Sequence, residues 1–296
     1  MKLQPTIMIE LKNDFIRIQL TQNGGSLTSI QAKGKEYLWE GNPEYWGGQA
    51  PVLFPIVGRL KGDSYQYQGK SYTMKQHGFF RKSSQIELVS QTDSSVVFSL
   101  KSSPETLEIY PFDFEFQTEY KIEESTIHVK HTVVNTGTKQ LLFSLGEHPA
   151  FKCSLLDTQE SYEKNSLVFE KTETVATHLI EGGLIGDHTS AVLEKSNTLD
   201  LHAAIFDKDA LVFKHMNSNV VTLTHAEEGK IVTLRYEDFP YLGIWSKPNA
   251  PFVCIEPWLG IADSVHSTQQ LDKKEGIISL EKGKIHISQY SIEVHS

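Results

Sequence analysis

The chain has 296 residues, 39% of them apolar and 22% charged, a balance that excludes a disordered segment and is enough to bury one large core. With 28 Lys and Arg against 37 Asp and Glu, the formal charge of −9 gives no general attraction to nucleic acid or an anionic membrane. An anionic ligand would need a local basic pocket.

Strand periodicity dominates. Phe15 to Leu20 reads as a strand before the turn Asn23-Gly24-Gly25, and Tyr65-Gln66-Tyr67 pairs with Ser71-Tyr72 around Gln68-Gly69-Lys70. Ile86 to Val89 pairs with Val96 to Leu100 across Thr92-Asp93-Ser94. Pro104 to Ile109 is a single short turn, and no amphipathic helix of three turns is found. From Phe112 to Ile122 apolar and polar residues alternate, the pattern of a sheet with one wet face. After Glu123-Glu124-Ser125 the next strand runs Thr126 to Val134, with Ile127, Val129 and Val133 inward and His131, on the same parity, a core histidine. Asn135-Thr136-Gly137 ends it and Leu141 to Leu145 follows. Further strands are expected at Leu211 to Lys214, Val220 to Thr224, Lys230 to Tyr236 and Ile285 to Ile292.

The pattern predicts an all-β fold, a large antiparallel β-sandwich or twisted double sheet. No composition break or Pro-rich linker divides the chain, and Gly182-Gly183 reads as a loop, so residues 1–296 are expected to form one domain. Cys153 and Cys254 lie in apolar segments without zinc spacing and read as buried thiols. The N-terminus lacks signal-peptide character and nowhere do 18 apolar residues run together, so a cytoplasmic location is expected.

The candidate chemistry begins with Glu256 in the run Val253-Cys254-Ile255-Glu256-Pro257-Trp258, where burial would make the carboxylate a better proton acceptor. The other reading is a carboxylate paired with a buried Arg or with backbone N–H groups. His77 precedes Gly78, which lets a ligand or another backbone approach, and either shuttles protons or caps a loop. His148 is held extended by Pro149 at a strand end, where side chains line clefts. Arg59, Arg81 and Lys61 are candidates for holding sugar hydroxyls or a phosphate, or are surface charges. Trp46, Trp245 and Trp258 suit stacking on a sugar ring as well as plain packing. No G-x-S-x-G, P-loop or G-x-G-x-x-G occurs, nor any H-x-H or H-E-x-x-H pair among the 12 His.

Four segments taken in order, Pro51–Arg59 (PVLFPIVGR), Lys75–Arg81 (KQHGFFR), Gly146–Phe151 (GEHPAF) and Cys254–Gly260 (CIEPWLG), resemble the aldose 1-epimerase (galactose mutarotase) superfamily and its LacX-like branch. The resemblance covers nearly the whole chain. It implies a galactose mutarotase-like supersandwich with an open cleft, no metal and no organic cofactor. It places catalytic roles on Glu256, His148 and His77, and substrate contacts on Arg59 and an aspartate, Asp209 or alternatively Asp200. An Arg soon after the His-Gly pair, here Arg81, leaves a phosphosugar open.

The implied activity is that of an isomerase in carbohydrate metabolism, acting on a hexose or hexose phosphate. Glu256 would take the proton of the C1 hydroxyl, His148 would protonate the ring oxygen and His77 would fix that oxygen, while Arg59, Asp209, Arg81 and Trp46 orient the sugar. Rival readings are a hexose 6-phosphate mutarotase, a non-catalytic carbohydrate-binding or sensing protein and, more remotely, a glycoside hydrolase, which would need two placed carboxylates. No nucleic-acid or membrane partner is expected, and the chain is a monomer or homodimer.

Overall fold

The computed structural model describes residues 7–156 and 159–296. Alternation of apolar and polar residues builds its largest element. Phe114–Glu123 pairs with Thr126–Asn135 over ten positions, and every second residue of each strand is buried, His131 among them. These two strands sit inside a nine-stranded antiparallel sheet. Its order is Leu184–Asp200, Asn165–Glu181, Val220–His225, Gly229–Arg235, Ile285–Val294, Thr126–Asn135, Phe114–Glu123, Ser95–Lys101 and Glu87–Gln91.

A second antiparallel sheet runs Leu211–Lys214, Tyr241–Trp245, Phe252–Trp258, Gly146–Glu147 and Val52–Leu53, with Ala150–Lys152 also paired to Phe252–Trp258. The two sheets face each other. Phe54, just past Val52–Leu53, stacks on Phe116 of the nine-stranded sheet with ring centroids 4.4 Å apart. Burying each such side chain contributes about 1.5–3 kcal/mol. A polar cluster also crosses this interior: Glu147 Oε1 lies 2.8 Å from His131 Nε2, and Tyr290 Oη donates to Glu147 Oε2 at 3.0 Å. A four-stranded sheet, Met8–Lys12, Arg17–Thr21, Ser26–Ala32 and Lys35–Glu36, extends the core.

Phe252–Trp258 explains its unbroken apolar run by being covered on both sides. Val253 and Ile255 join the core between the sheets, whereas Cys254 and Trp258 belong to two smaller clusters on the other face. That other face floors the site.

The all-β antiparallel sandwich is as the sequence predicts, with strand ends shifted by a residue or two. Pro104–Ile109 is a six-residue α-helix, closed by a reciprocal capping box between Ser103 and Thr106. Gly182-Gly183, read as a loop, is the tip of a hairpin of two 17-residue strands that the periodicity did not reveal. Cys153 and Cys254 are free, buried thiols. Among the described residues no helix is long and apolar enough to cross a membrane.

Candidate active site

Three paired strands set Val212, Gly243 and Glu256 side by side on the outer face of the smaller sheet. Above them lies a cavity of about 360 Å³. Its floor is Trp258, whose indole lies across Gly146 and Gly243. A Cβ on Gly243 would stand 2.4 Å from the ring, and one on Gly146 would stand 2.6 Å from it. The Trp258 indole N–H donates to the Glu147 carbonyl at 3.2 Å. The two glycines are therefore what let a tryptophan lie flat here.

Glu256 is 1% exposed and reaches the cavity from this floor. Its Oε2 lies 3.3 Å from His148 Nε2, yet no hydrogen bond closes and Oε2 has no other partner among the described residues. His148 comes from the connection between Gly146–Glu147 and Ala150–Lys152, where Pro149 gives its carbonyl to Ile255 N–H at 3.2 Å. Its ring stacks on Trp46 at 4.8 Å and meets Trp245 edge-on at 5.9 Å. The indoles fix the plane in which the imidazole can act.

His77 holds a left-handed backbone, φ +66°, in a loop locked to Gly58. Its N–H donates to the Gly58 carbonyl at 2.9 Å, and Gly58 N–H donates to His77 Nδ1 at 3.2 Å. Because Nδ1 accepts, the neutral ring carries its proton on Nε2 and is a donor there. A Cβ on Gly78 would fall 2.2 Å from the Phe54 carbonyl oxygen, so backbone rather than ligand requires that glycine. His77 and His148 meet edge to face at 5.7 Å.

Burial governs the electrostatics. It pushes the Glu256 carboxyl well above the usual value, against the opposing Trp258 indole and with the Asp209 charge adding. It draws His148 down to about 3, its own backbone opposing and Arg81 adding. His77 is lowered well below the ordinary imidazole value by burial, then by His148 and Arg81. A raised carboxylate is the stronger base and a lowered imidazolium the stronger acid. Burial therefore disfavours both charged forms and favours one proton kept on the carboxyl beside a neutral imidazole 3.3 Å away.

The remaining candidates separate. Trp46, Arg81 and Asp209 line the cavity. Arg81 Nη2 donates to the Gln76 carbonyl at 3.1 Å, while its buried Nε has no partner among the described residues. Arg59, expected on the substrate, is turned away: its Nε donates to Asp63 at 2.9 Å and its Nη1 to the Gly182 carbonyl at 3.1 Å, pinning the hairpin tip. Lys61 is likewise spent on the Val265 carbonyl at 2.7 Å. Asp200 sits on the outer hairpin strand, accepting from Ser166 at 2.6 Å, so Asp209 is the aspartate at the cavity. Trp245 and Trp258 also line it.

Sequence reasoning missed Gln76, Lys247, Ile180 and Ile185. Lys247 carried a readable signal, a cation closing the apolar strand Tyr241–Trp245. The two isoleucines carried none, since only the unforeseen hairpin brings them there. One donor set also has metal-ligating chemistry: a nitrogen of His148, Cys254 Sγ and an oxygen of Glu256 all lie within 4.8 Å of one another.

Comparison with known proteins finds relatives along nearly the whole chain. The model of the family described as aldose 1-epimerase matches residues 8–291. A chromosomally encoded LacX protein of Lactococcus lactis subsp. lactis is 37% identical over 277 residues, 90% of this chain and 92% of that protein. The structure of a galactose mutarotase related enzyme from Lactobacillus acidophilus superposes with a TM-score of 0.92 at 33% identity, covering 98% of both chains. A galactose mutarotase-like protein from Lactobacillus casei superposes at 0.89 and 29% identity, over 98% of this chain and 100% of that one.

Proposed function

The chain belongs to the aldose 1-epimerase family, and from that premise we propose that it is an isomerase interconverting the α and β anomers of a hexose. Anomer exchange needs one proton removed from the C1 hydroxyl and one added to the ring oxygen, two atoms bonded to the same carbon. Glu256 takes the first and His148 supplies the second, so the C1–O bond of the ring breaks and an open-chain aldehyde forms. After rotation about the C1–C2 bond the two transfers reverse on the other face of the carbonyl.

The observation that carries this reading is the buried Glu256–His148 pair, 3.3 Å apart, with Glu256 Oε2 and His148 Nδ1 unpartnered among the described residues. Burial favours the neutral pair, carboxyl and imidazole; passing that one proton across 3.3 Å to His148 gives the carboxylate and imidazolium that the two transfers use. His77, whose proton lies on Nε2, holds the ring oxygen as a neutral donor. Trp46, Trp245 and Trp258 offer flat apolar faces, and Asp209 accepts from hydroxyls at the rim.

A phosphorylated hexose is the second reading. Arg81, with an unpartnered Nε, and Lys247 both border the cavity and provide the local positive charge that an acidic chain otherwise lacks.

Polarimetry on freshly dissolved α-glucose, α-galactose and glucose 6-phosphate tests both. Faster equilibration of one of these supports the isomerase and names its sugar class. Saturable sugar binding without acceleration would replace it by a carbohydrate-binding protein.

A further inference from the structure

We propose that His148, Cys254 and Glu256 form a binding site for a soft divalent cation, of which Zn²⁺ is the type, and that an ion held there switches off the acid–base pair. Cys254 and Glu256 stand two residues apart on one strand, so their side chains share a face. Ala150 is paired with Cys254, which brings the neighbouring His148 beside both. The three ligand-type atoms lie within 4.8 Å of one another. In a tetrahedral zinc site with bonds of about 2.0–2.3 Å, neighbouring donors are separated by roughly 3.3–3.6 Å. His148 Nε2 and Glu256 Oε2, 3.3 Å apart, already have that spacing.

A second observation points to a ligand. Glu256 Oε2, on a side chain 2% exposed and facing His148, has no hydrogen-bond partner among the described residues. A buried oxygen of this kind gains more from a cation than an exposed one, because it gives up no water to bind. Donor type decides which cation. Thiolate, imidazole and carboxylate together suit Zn²⁺ or Co²⁺, whereas Mg²⁺ and Ca²⁺ prefer oxygen donors alone. Thiolate and carboxylate also carry two negative charges against the ion's two positive ones, leaving the buried site neutral. On binding, the Cys254 thiol proton and the Glu256 carboxyl proton pass to the buffer, and the sulfur and the carboxylate oxygen bond to the ion.

Three protein donors leave a place for water, so the ion need not distort the strand to complete its coordination. The carboxylate and imidazole it holds can no longer exchange protons with a sugar. The ion is therefore an inhibitor of turnover and no part of it. That inhibition rests on the mutarotase reading; binding of the ion does not.

The test is a titration of chelator-stripped protein with Zn²⁺ by calorimetry and with Co²⁺ by absorption, beside polarimetric assays. One ion per chain is expected, with a thiolate-to-cobalt charge-transfer band. Cys254→Ser should lose that band and bind Zn²⁺ about tenfold or more weakly, while keeping wild-type turnover in the presence of chelator. Cys254→Ala reads the same quantities if the buried hydroxyl harms folding. Wild-type turnover should fall in step with bound Zn²⁺ and return on chelation. Absence of stoichiometric binding, or wild-type affinity in the Cys254 variants, would overturn the site. Protein that binds the ion through Cys254 but turns over no sugar would count against the mutarotase reading alone.

Discussion

Glu256→Gln is expected to move activity and stability in opposite directions. The amide keeps the shape of the carboxyl group at 3.3 Å from His148 but cannot accept the C1 proton. Loss of one general base lowers the rate by about 10²- to 10⁴-fold, equivalent to about 3–5 kcal/mol of barrier. Stability follows from the sign of the pKa displacement. Burial raises the folded-state value of Glu256, so its contribution is full below the unfolded carboxylate value and is lost as pH rises through the folded one. An amide has no proton to lose, and the variant keeps at neutral and alkaline pH what the wild type gives up. Polarimetric initial rates and urea midpoints measured across pH read the two effects separately. A variant retaining more than about a tenth of wild-type activity would refute the base assignment. One less stable than wild type at every pH would refute the electrostatic argument.

His148→Asn should lower kcat more than it raises KM, since the acid is needed chiefly as the ring bond breaks. The folded His148 value near 3 lies below the ordinary 6.5, so its contribution to stability is present above 6.5 and lost as pH falls toward 3. The Asn variant should therefore show a shallower acid limb in urea midpoints than the wild type. Arg81→Ala should weaken hexose 6-phosphate binding by about 2 kcal/mol and free hexose little, and equal effects on both would remove the phosphate reading. Gly243→Ala forces the Trp258 indole from a Cβ 2.4 Å away, so KM should rise with about 1–3 kcal/mol of lost stability. A wild-type KM would mean that the indole does not touch the sugar. The proposed single domain should unfold in one calorimetric transition, and two resolved transitions would divide the chain.

What the sequence made legible was whatever repeats with period two. Phe114–Glu123 and Thr126–Asn135 show strict alternation because one face of each meets a core and the other meets water or polar neighbours. The hairpin Asn165–Glu181 and Leu184–Asp200 shows no such rule. Its register shifts at several places, and each shift resets which side chains face inward. Glu256, His77 and His148 stood out because a lone polar group closing an apolar run, or tied to Gly or Pro, needs a reason to be there. Arg59 and Arg81 gave the same local signal and went opposite ways. The difference lies in partners outside the motifs: Asp63, four residues on, and the distant Gly182 carbonyl take Arg59, while Arg81 Nε is left without one among the described residues. Asp209 and Asp200 part for a similar reason, as Asp200 is carried off along the hairpin to Ser166.

Gly146–Glu147 and the residue after it carry two carboxyl–imidazole contacts, back to back. His148 turns outward to Glu256 at 3.3 Å, and Glu147 turns inward to His131 at 2.8 Å, sealed between the sheets with Tyr290. One molecule thus contains an experiment and its control. The same two functional groups, a strand's width apart, differ chiefly in whether a small molecule can reach them. Imidazole resonances followed at His131 and His148 during a sugar titration would report contact at one ring against a reference at the other, without a second protein sample.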